Sequence, residues 1–139
     1  MIQIIFGKRG SGKTKRIIDM ANASVGEQKG SVLFIDDDSR YMYDLKHQIR
    51  FIDASEYGIK GETLFTGFLN GILASNFDVS LIFIDAFLHL VDTDKPDIAK
   101  LEGFFQMLEE LSARSNANFV ISLSEDPALV PECIRKYQI

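Results

Sequence analysis

The chain is poor in the residues that build disulfide scaffolds and metal centres. It has one cysteine, Cys133, two histidines, His47 and His89, three prolines and no tryptophan in 139 residues. One cysteine excludes an internal disulfide, and a reducing compartment, the cytoplasm, is the expected location. Neither histidine has a second ligand at metal-binding spacing, so both read as structural or surface residues. Cys133 has no basic neighbour in sequence and reads as a small buried hydrophobe. Long apolar runs are also missing. The longest, Leu81 to Val91, is too short to span a membrane and is interrupted by Asp85. The amino terminus has no charged segment followed by a cleavage site, so no secretory signal is expected. Positive charge is in deficit, with 15 Lys and Arg against 20 Asp and Glu, a net charge of −5. A nucleic-acid surface needs a basic face to displace counterions, so nucleic acid is not an expected partner. No repeat, low-complexity tract or long linker occurs. A chain of this length is expected to form one domain, residues 1–139, burying about two-thirds of its unfolded surface.

What is present is an alternation of short apolar runs with amphipathic helical segments. Ile2–Phe6, Val32–Asp36, Ile49–Ile52, Leu81–Asp85 and Phe119–Leu123 read as strands. Four of them are almost wholly apolar, as strands covered on both faces must be. Ile49–Ile52 is short and carries Arg50, which puts it at an edge. This predicts an α/β fold, a three-layer α/β/α arrangement around a mainly parallel five-stranded sheet. The first helix follows residue 14, with Ile17, Ile18, Ala21, Ser24 and Val25 on one side and Gly26 closing it. The second runs from Gly61 to Ser75, with a stripe of Leu64, Phe65, Phe68, Leu69, Ile72 and Leu73. Gly67 and Gly71 predict close packing of that helix on the sheet. The third runs from about Pro96 to Ser115, with Asp94 as its cap and Ile98, Leu101, Phe105 and Leu108 inward. Phe104 and Met107 read as core fillers. Tyr137-Gln138-Ile139 are expected to cover the outer edge of the first strand.

Between the first strand and first helix lies the strongest signal in the chain. Gly7, Lys8, Arg9, Gly10, Ser11, Gly12, Lys13 and Thr14 match the pattern G-x-x-x-x-G-K-[ST] in full. Glycines let backbone curl closely around a phosphate, and the loop and helix amino terminus turn N–H groups toward it. Lys13 is the candidate for the β- and γ-phosphates and the Thr14 hydroxyl for Mg²⁺, with Lys15 opening the helix beside them. A phosphate loop needs a carboxylate for its metal. Leu81-Ile82-Phe83-Ile84-Asp85 supplies one at the carboxyl end of a buried strand, where ligands bind in parallel sheets.

On these motifs the chain resembles the P-loop NTPases, specifically the RecA-like or ASCE branch, which has an extra strand between the loop strand and the Walker B strand. The resemblance implies that ATP with Mg²⁺ is bound by residues 7–15, with Thr14 and Asp85 as the metal residues. Many members carry a catalytic glutamate directly after the Walker B aspartate; this chain has Ala86. In RecA-type folds the neighbouring strand can supply the carboxylate that activates water, and by that analogy Asp36 or Asp37 takes this role. The plainer reading of Asp36-Asp37-Asp38 is a solvated turn capping a helix ahead of Ser39. Ser124 and Glu125 sit where related ATPases sense the γ-phosphate, or else form a simple turn. Arg9, Arg16, Arg40 and Arg135 are loose candidates for phosphate contacts. No N-K-x-D guanine motif is present, which favours adenine.

Three functions remain open. The first is a slow or partner-stimulated ATPase, with Lys13, Asp85, Asp36 and Asp37 as the catalytic candidates. The second is a small-molecule kinase, which would need an acceptor pocket and usually an arginine-bearing lid. The longest irregular stretch, Asp53 to Lys60, is short and lacks arginine. The third is a nucleotide-dependent interaction switch, with Tyr41, Tyr43 and Tyr57 forming a recognition surface for a protein partner or a second copy of the chain.

Overall fold

The computed structural model describes residues 1–91 and 97–139. Five strands, β1 (Ile2–Gly7), β2 (Ser31–Asp36), β3 (Arg50–Asp53), β4 (Val79–Ile84) and β5 (Asn118–Ser124), form one sheet in the order β1-β5-β4-β2-β3, with every pairing parallel. The helices are α1 (Lys13–Ser24), α2 (Glu62–Ser75), α3 (Phe87–Val91), α4 (Glu102–Ser115) and α5 (Glu132–Arg135). None of the described helices is long and apolar enough to cross a membrane.

The two faces of the sheet carry separate cores. Alternate side chains leave a strand on opposite sides, so each strand feeds both. Ile5, Phe34, Phe83 and Val120 pack under Ile17, Ile18 and Ala21 of α1. Ile4, Ile35, Ile84 and Ile121 pack under α2, α3 and α4. Phe34 stacks between Phe51 and Phe83 at 6.2 Å on either side, a row running across three adjacent strands. β3 is an edge strand, as its arginine indicates. At the other edge, β1 is covered by the tail: the Ile4 amide donates to the Tyr137 carbonyl at 2.8 Å and the Ile139 amide to the Ile4 carbonyl at 3.0 Å.

Some local expectations are corrected. α1 begins at Lys13, two residues before Lys15, so Lys13 and Thr14 sit within its first turn. Phe65, Leu69 and Leu73 form the buried stripe of α2, while Leu64 is 55% exposed. Gly67 and Gly71 are exposed, and a Cβ built on either meets no atom within 4 Å. They do not mediate close packing, because the helix presents its i, i+4, i+8 row of large side chains to the sheet instead. The amino end expected for the third helix, with Pro96 and Asp94, lies outside the described residues. Within them a 3₁₀ turn, Ile98–Leu101, is capped by the Asp97 carboxylate, which accepts from the Ala99 amide at 3.1 Å, and continues directly into α4. The stretch Asp53 to Lys60 is not irregular throughout, because the 3₁₀ turn Ala54–Tyr57 forms within it.

Candidate nucleotide-binding site

Because all five strands are parallel, their carboxyl ends emerge along one side of the sheet. The loop after β1 rises there. Gly10 and Gly12 adopt φ of 82° and 90°, the left-handed region that a Cβ opposes. A Cβ on Gly7 would come within 2.4 Å of Ser11 Oγ and 3.3 Å of Lys13 Cγ, so the loop closes on itself there. Gly12 leads into α1, whose first-turn amides have no intrahelical partner and aim at the mouth of the loop. Lys13 is 8% exposed, and its ammonium donates to the Lys8 carbonyl at 2.9 Å. Burial lowers its pKa, and the charge of Asp85 opposes that shift.

Around this loop lies a cavity of about 760 Å³, a size typical of small-molecule sites. Arg9, Gly10, Gly12, Lys13 and Thr14 line it from the loop, Asp36, Asp37 and Asp38 from the end of β2, Asp85 and Ala86 from the end of β4, and Ser124 from the end of β5. Ser124 lies in register with Gly7. Arg40 reaches the cavity wall, whereas Arg16 donates to the Ile139 carbonyl at 3.4 Å on another face. Lys15 points outward into an ion pair with Asp19 at 2.8 Å.

The acidic residues differ sharply in environment. Asp85 is buried and accepts a hydrogen bond from the Ser122 hydroxyl on the neighbouring strand, while its amide donates to the Ile35 carbonyl at 2.9 Å. Asp36 is only 2% exposed, so the reading of it as part of a solvated turn fails. Its Oδ1 accepts from the Asp37 amide at 2.7 Å, and its Oδ2 is buried with no hydrogen-bond partner among the described residues. Burial, the Asp37 carboxyl beside it and the charge of Asp85 push its pKa up to about 8, against the Asp37 amide, which lowers it. Burial also opposes ionisation of Asp37, but the hydrogen bond with His89 and the neighbouring Asp36 carboxyl outweigh it and hold Asp37 below the usual carboxylate range. Asp38 does form the turn, accepting from the Arg40 amide at 2.9 Å. One carboxylate oxygen from each of Asp36, Asp37 and Asp38 falls within 4.8 Å of the others. With the Thr14 hydroxyl and Asp85 facing the same cavity, this is an all-oxygen donor set of the kind hard divalent cations take.

Three features escape the sequence reading. His89 is a surface residue, as expected, but a tethered one: its Nδ1 lies 2.8 Å from Asp37 Oδ2, at the cavity wall. Ser122 is the lone hydroxyl in the run Phe119–Leu123, a polar interruption whose partner nothing nearby in sequence reveals. Ala86 takes φ of 56°, a left-handed conformation uncommon outside glycine, asparagine and aspartate, and starts α3 by accepting from the His89 amide at 3.0 Å. Cys133 is half-buried against the core, and His47 is exposed.

No known family profile matches the chain, and no curated protein matches it in sequence. Among solved structures it superposes on the flagellar accessory protein FlaH from Methanocaldococcus jannaschii with a TM-score of 0.54 at 16% identity, over 97% of this chain and 65% of FlaH. The chain thus spans under two-thirds of the length of FlaH. A weaker match is domain III of the replication initiation protein DnaA from Thermotoga maritima, with a TM-score of 0.44 at 20% identity over 98% of this chain and 50% of the other. The fold is that of a P-loop NTPase core. Strand β5 lies between the loop strand β1 and the Asp85 strand β4, and β2 adjoins β4 on its far side.

Proposed function

We propose that residues 1–139 form a single nucleotide-binding domain of the RecA-like or ASCE branch that takes ATP with Mg²⁺ in the cytoplasm and transfers its γ-phosphate slowly to water. The observation that carries this reading is the shared cavity, which the glycine cradle, Lys13 and the acidic residues Asp36 and Asp85 line together.

Phosphoryl transfer asks for positioning and charge neutralisation rather than covalent chemistry. Gly10, Gly12 and the first turn of α1 supply amides to the phosphate oxygens. Lys13, which gives up one carbonyl contact at Lys8, supplies the positive charge. Thr14 and Asp85 would hold the ion, and Ser122 keeps the Asp85 carboxylate oriented. Mg²⁺, when bound, would draw off charge from the phosphates. With Ala86 in place of the usual glutamate, the end of β2 is the nearest source of a base. Asp36 in its ionised form, which grows as pH rises toward about 8, can accept a proton from an attacking water, and Asp37 can orient it.

A switch function draws support from the segment after β2. Tyr41 lines the cavity, while Tyr43 is 90% exposed two residues on. So short a segment can couple nucleotide contact to a surface for a protein partner or a second copy.

Thermal unfolding tests the core of the reading. At about 100 times its Kd, Mg–ATP should stabilise the protein by roughly 2.7 kcal/mol. That corresponds to a rise in Tm of several degrees, which Lys13→Ala should abolish. No rise with any nucleotide refutes nucleotide binding. A rise without phosphate release favours the switch.

A further inference from the structure

Beside the phosphate cavity lies a second one, of about 620 Å³, lined by Asp37, Ser55, Ile59, Lys60, His89 and Leu90. The two cavities meet at a shared wall, because Asp37 and His89 line both. The far wall is held by hydrogen bonds to backbone amides. The Asp53 carboxylate caps the turn that carries Ser55, the Ile59 amide donates to the Ala54 carbonyl at 3.1 Å, and the Gly61 amide ties Lys60 to α3 through the Leu90 carbonyl at 2.8 Å. An attacking water needs no such room.

The shared wall has its own chemistry. Asp37 Oδ2 beside His89 Nδ1 favours the tautomer with the proton on Nδ1, which leaves Nε2 with its lone pair. An imidazole oriented in this way by a carboxylate is a general base for a hydroxyl group. The remaining lining combines apolar Ile59 and Leu90 with the Lys60 ammonium, a match for a short carbon skeleton ending in an anion, while the Ser55 hydroxyl donates to Asp53 Oδ1 at 2.6 Å.

We propose that this second cavity holds a small hydroxylated carboxylic acid or phosphate ester, and that its hydroxyl, rather than water, is the preferred acceptor of the γ-phosphate. The proposal rests on the nucleotide reading above. The acceptor hydroxyl gives its proton to His89 Nε2 as its oxygen bonds to the γ-phosphorus. The bond from that phosphorus to the β–γ bridging oxygen breaks, ADP leaves with the electron pair, and His89 releases the proton to solvent. His89 touches the acceptor and is catalytic here, while Asp37 positions it.

The test follows label from γ-labelled ATP into glycerate, gluconate and glycerol phosphate, each at millimolar concentration with the full chain and Mg²⁺. Label is expected in a phosphoester of at least one probe. His89→Gln, which keeps a hydrogen bond to Asp37 but no base, should lower kcat for transfer by roughly 100-fold. Lys60→Ala should raise the acceptor KM about tenfold, with a much smaller change in the KM for ATP. Absence of label in all three probes, while Mg–ATP still raises Tm, overturns the acceptor site and leaves nucleotide binding standing. Transfer by His89→Gln at the wild-type rate overturns the assignment of the base. Loss of both transfer and the Tm rise sinks the nucleotide reading itself.

Discussion

Replacing Asp36 by asparagine should make this protein more stable and less active, and the gain in stability should depend on pH. Asp36 is buried, one of its oxygens has no partner among the described residues, and its pKa rises from 3.8 to about 8 on folding. The folded state therefore holds a proton that the unfolded state has released anywhere between those two values. Where the native state binds more protons, stability falls as pH rises. The loss begins near 3.8, grows through neutrality and levels off above about 8. At pH 7 the displacement is roughly three pH units, and at 1.36 kcal/mol each that is an upper bound of about 4 kcal/mol. The asparagine of the variant has no proton to lose, so its stability should lack this slope. If half the bound is realised, about 2 kcal/mol, Tm at pH 7 rises by roughly 7 °C for a domain of this size. The measurement is urea unfolding of both proteins in chelator from pH 4 to pH 9. The advantage of the variant should be near zero at pH 4 and largest above pH 8. A pH-independent difference, or a variant less stable at pH 8, would refute the account of Asp36 as a strained buried acid. The same variant should lose ATP turnover by roughly 100-fold or more if Asp36 is the base, so stability and activity would move in opposite directions.

Other substitutions probe neighbouring parts of the site. Ala86→Val, a β-branched residue at φ of 56°, should destabilise the fold by about 2 kcal/mol, whereas Ala86→Gly should be neutral within about 0.5 kcal/mol; equal effects in chemical denaturation would show that backbone strain is not at issue. Ser122→Ala removes the donor to the buried Asp85 carboxylate and should cost about 1–3 kcal/mol. It should also weaken Mg²⁺-dependent stabilisation by ATP, and a variant whose Mg²⁺ titration matches the parent would argue against Ser122 as the group that orients Asp85.

Much of the architecture follows from patterns local in sequence. Short, nearly unbroken apolar runs alternating with helical patterns read as strands covered on both faces, and Arg50 marks Arg50–Asp53 as an edge. The glycine loop is legible because its conformation depends on residues within eight positions of one another. For α2 the apolar pattern predicts too wide a stripe, since periodicity gives the inward direction but not how far the neighbouring elements extend over it, and Leu64 is left in solvent. Gly67 and Gly71 mislead for the same reason.

The chemistry of the site belongs to a different scale. His89 meets Asp37 across 52 residues and Ser122 meets Asp85 across 37, pairings created only when β2, β4 and β5 lie side by side. Burial of Asp36 likewise needs the sheet and its covering elements in place, and only then does its acidity change. The sequence by itself therefore determined the loop, the strands and their covering on both faces, because backbone conformation and hydrophobic periodicity are short-range properties. Only the tertiary structure decided which acids share a cavity, which of them keeps its proton and that a second pocket adjoins the first, because solvation and charge interaction depend on distance in space.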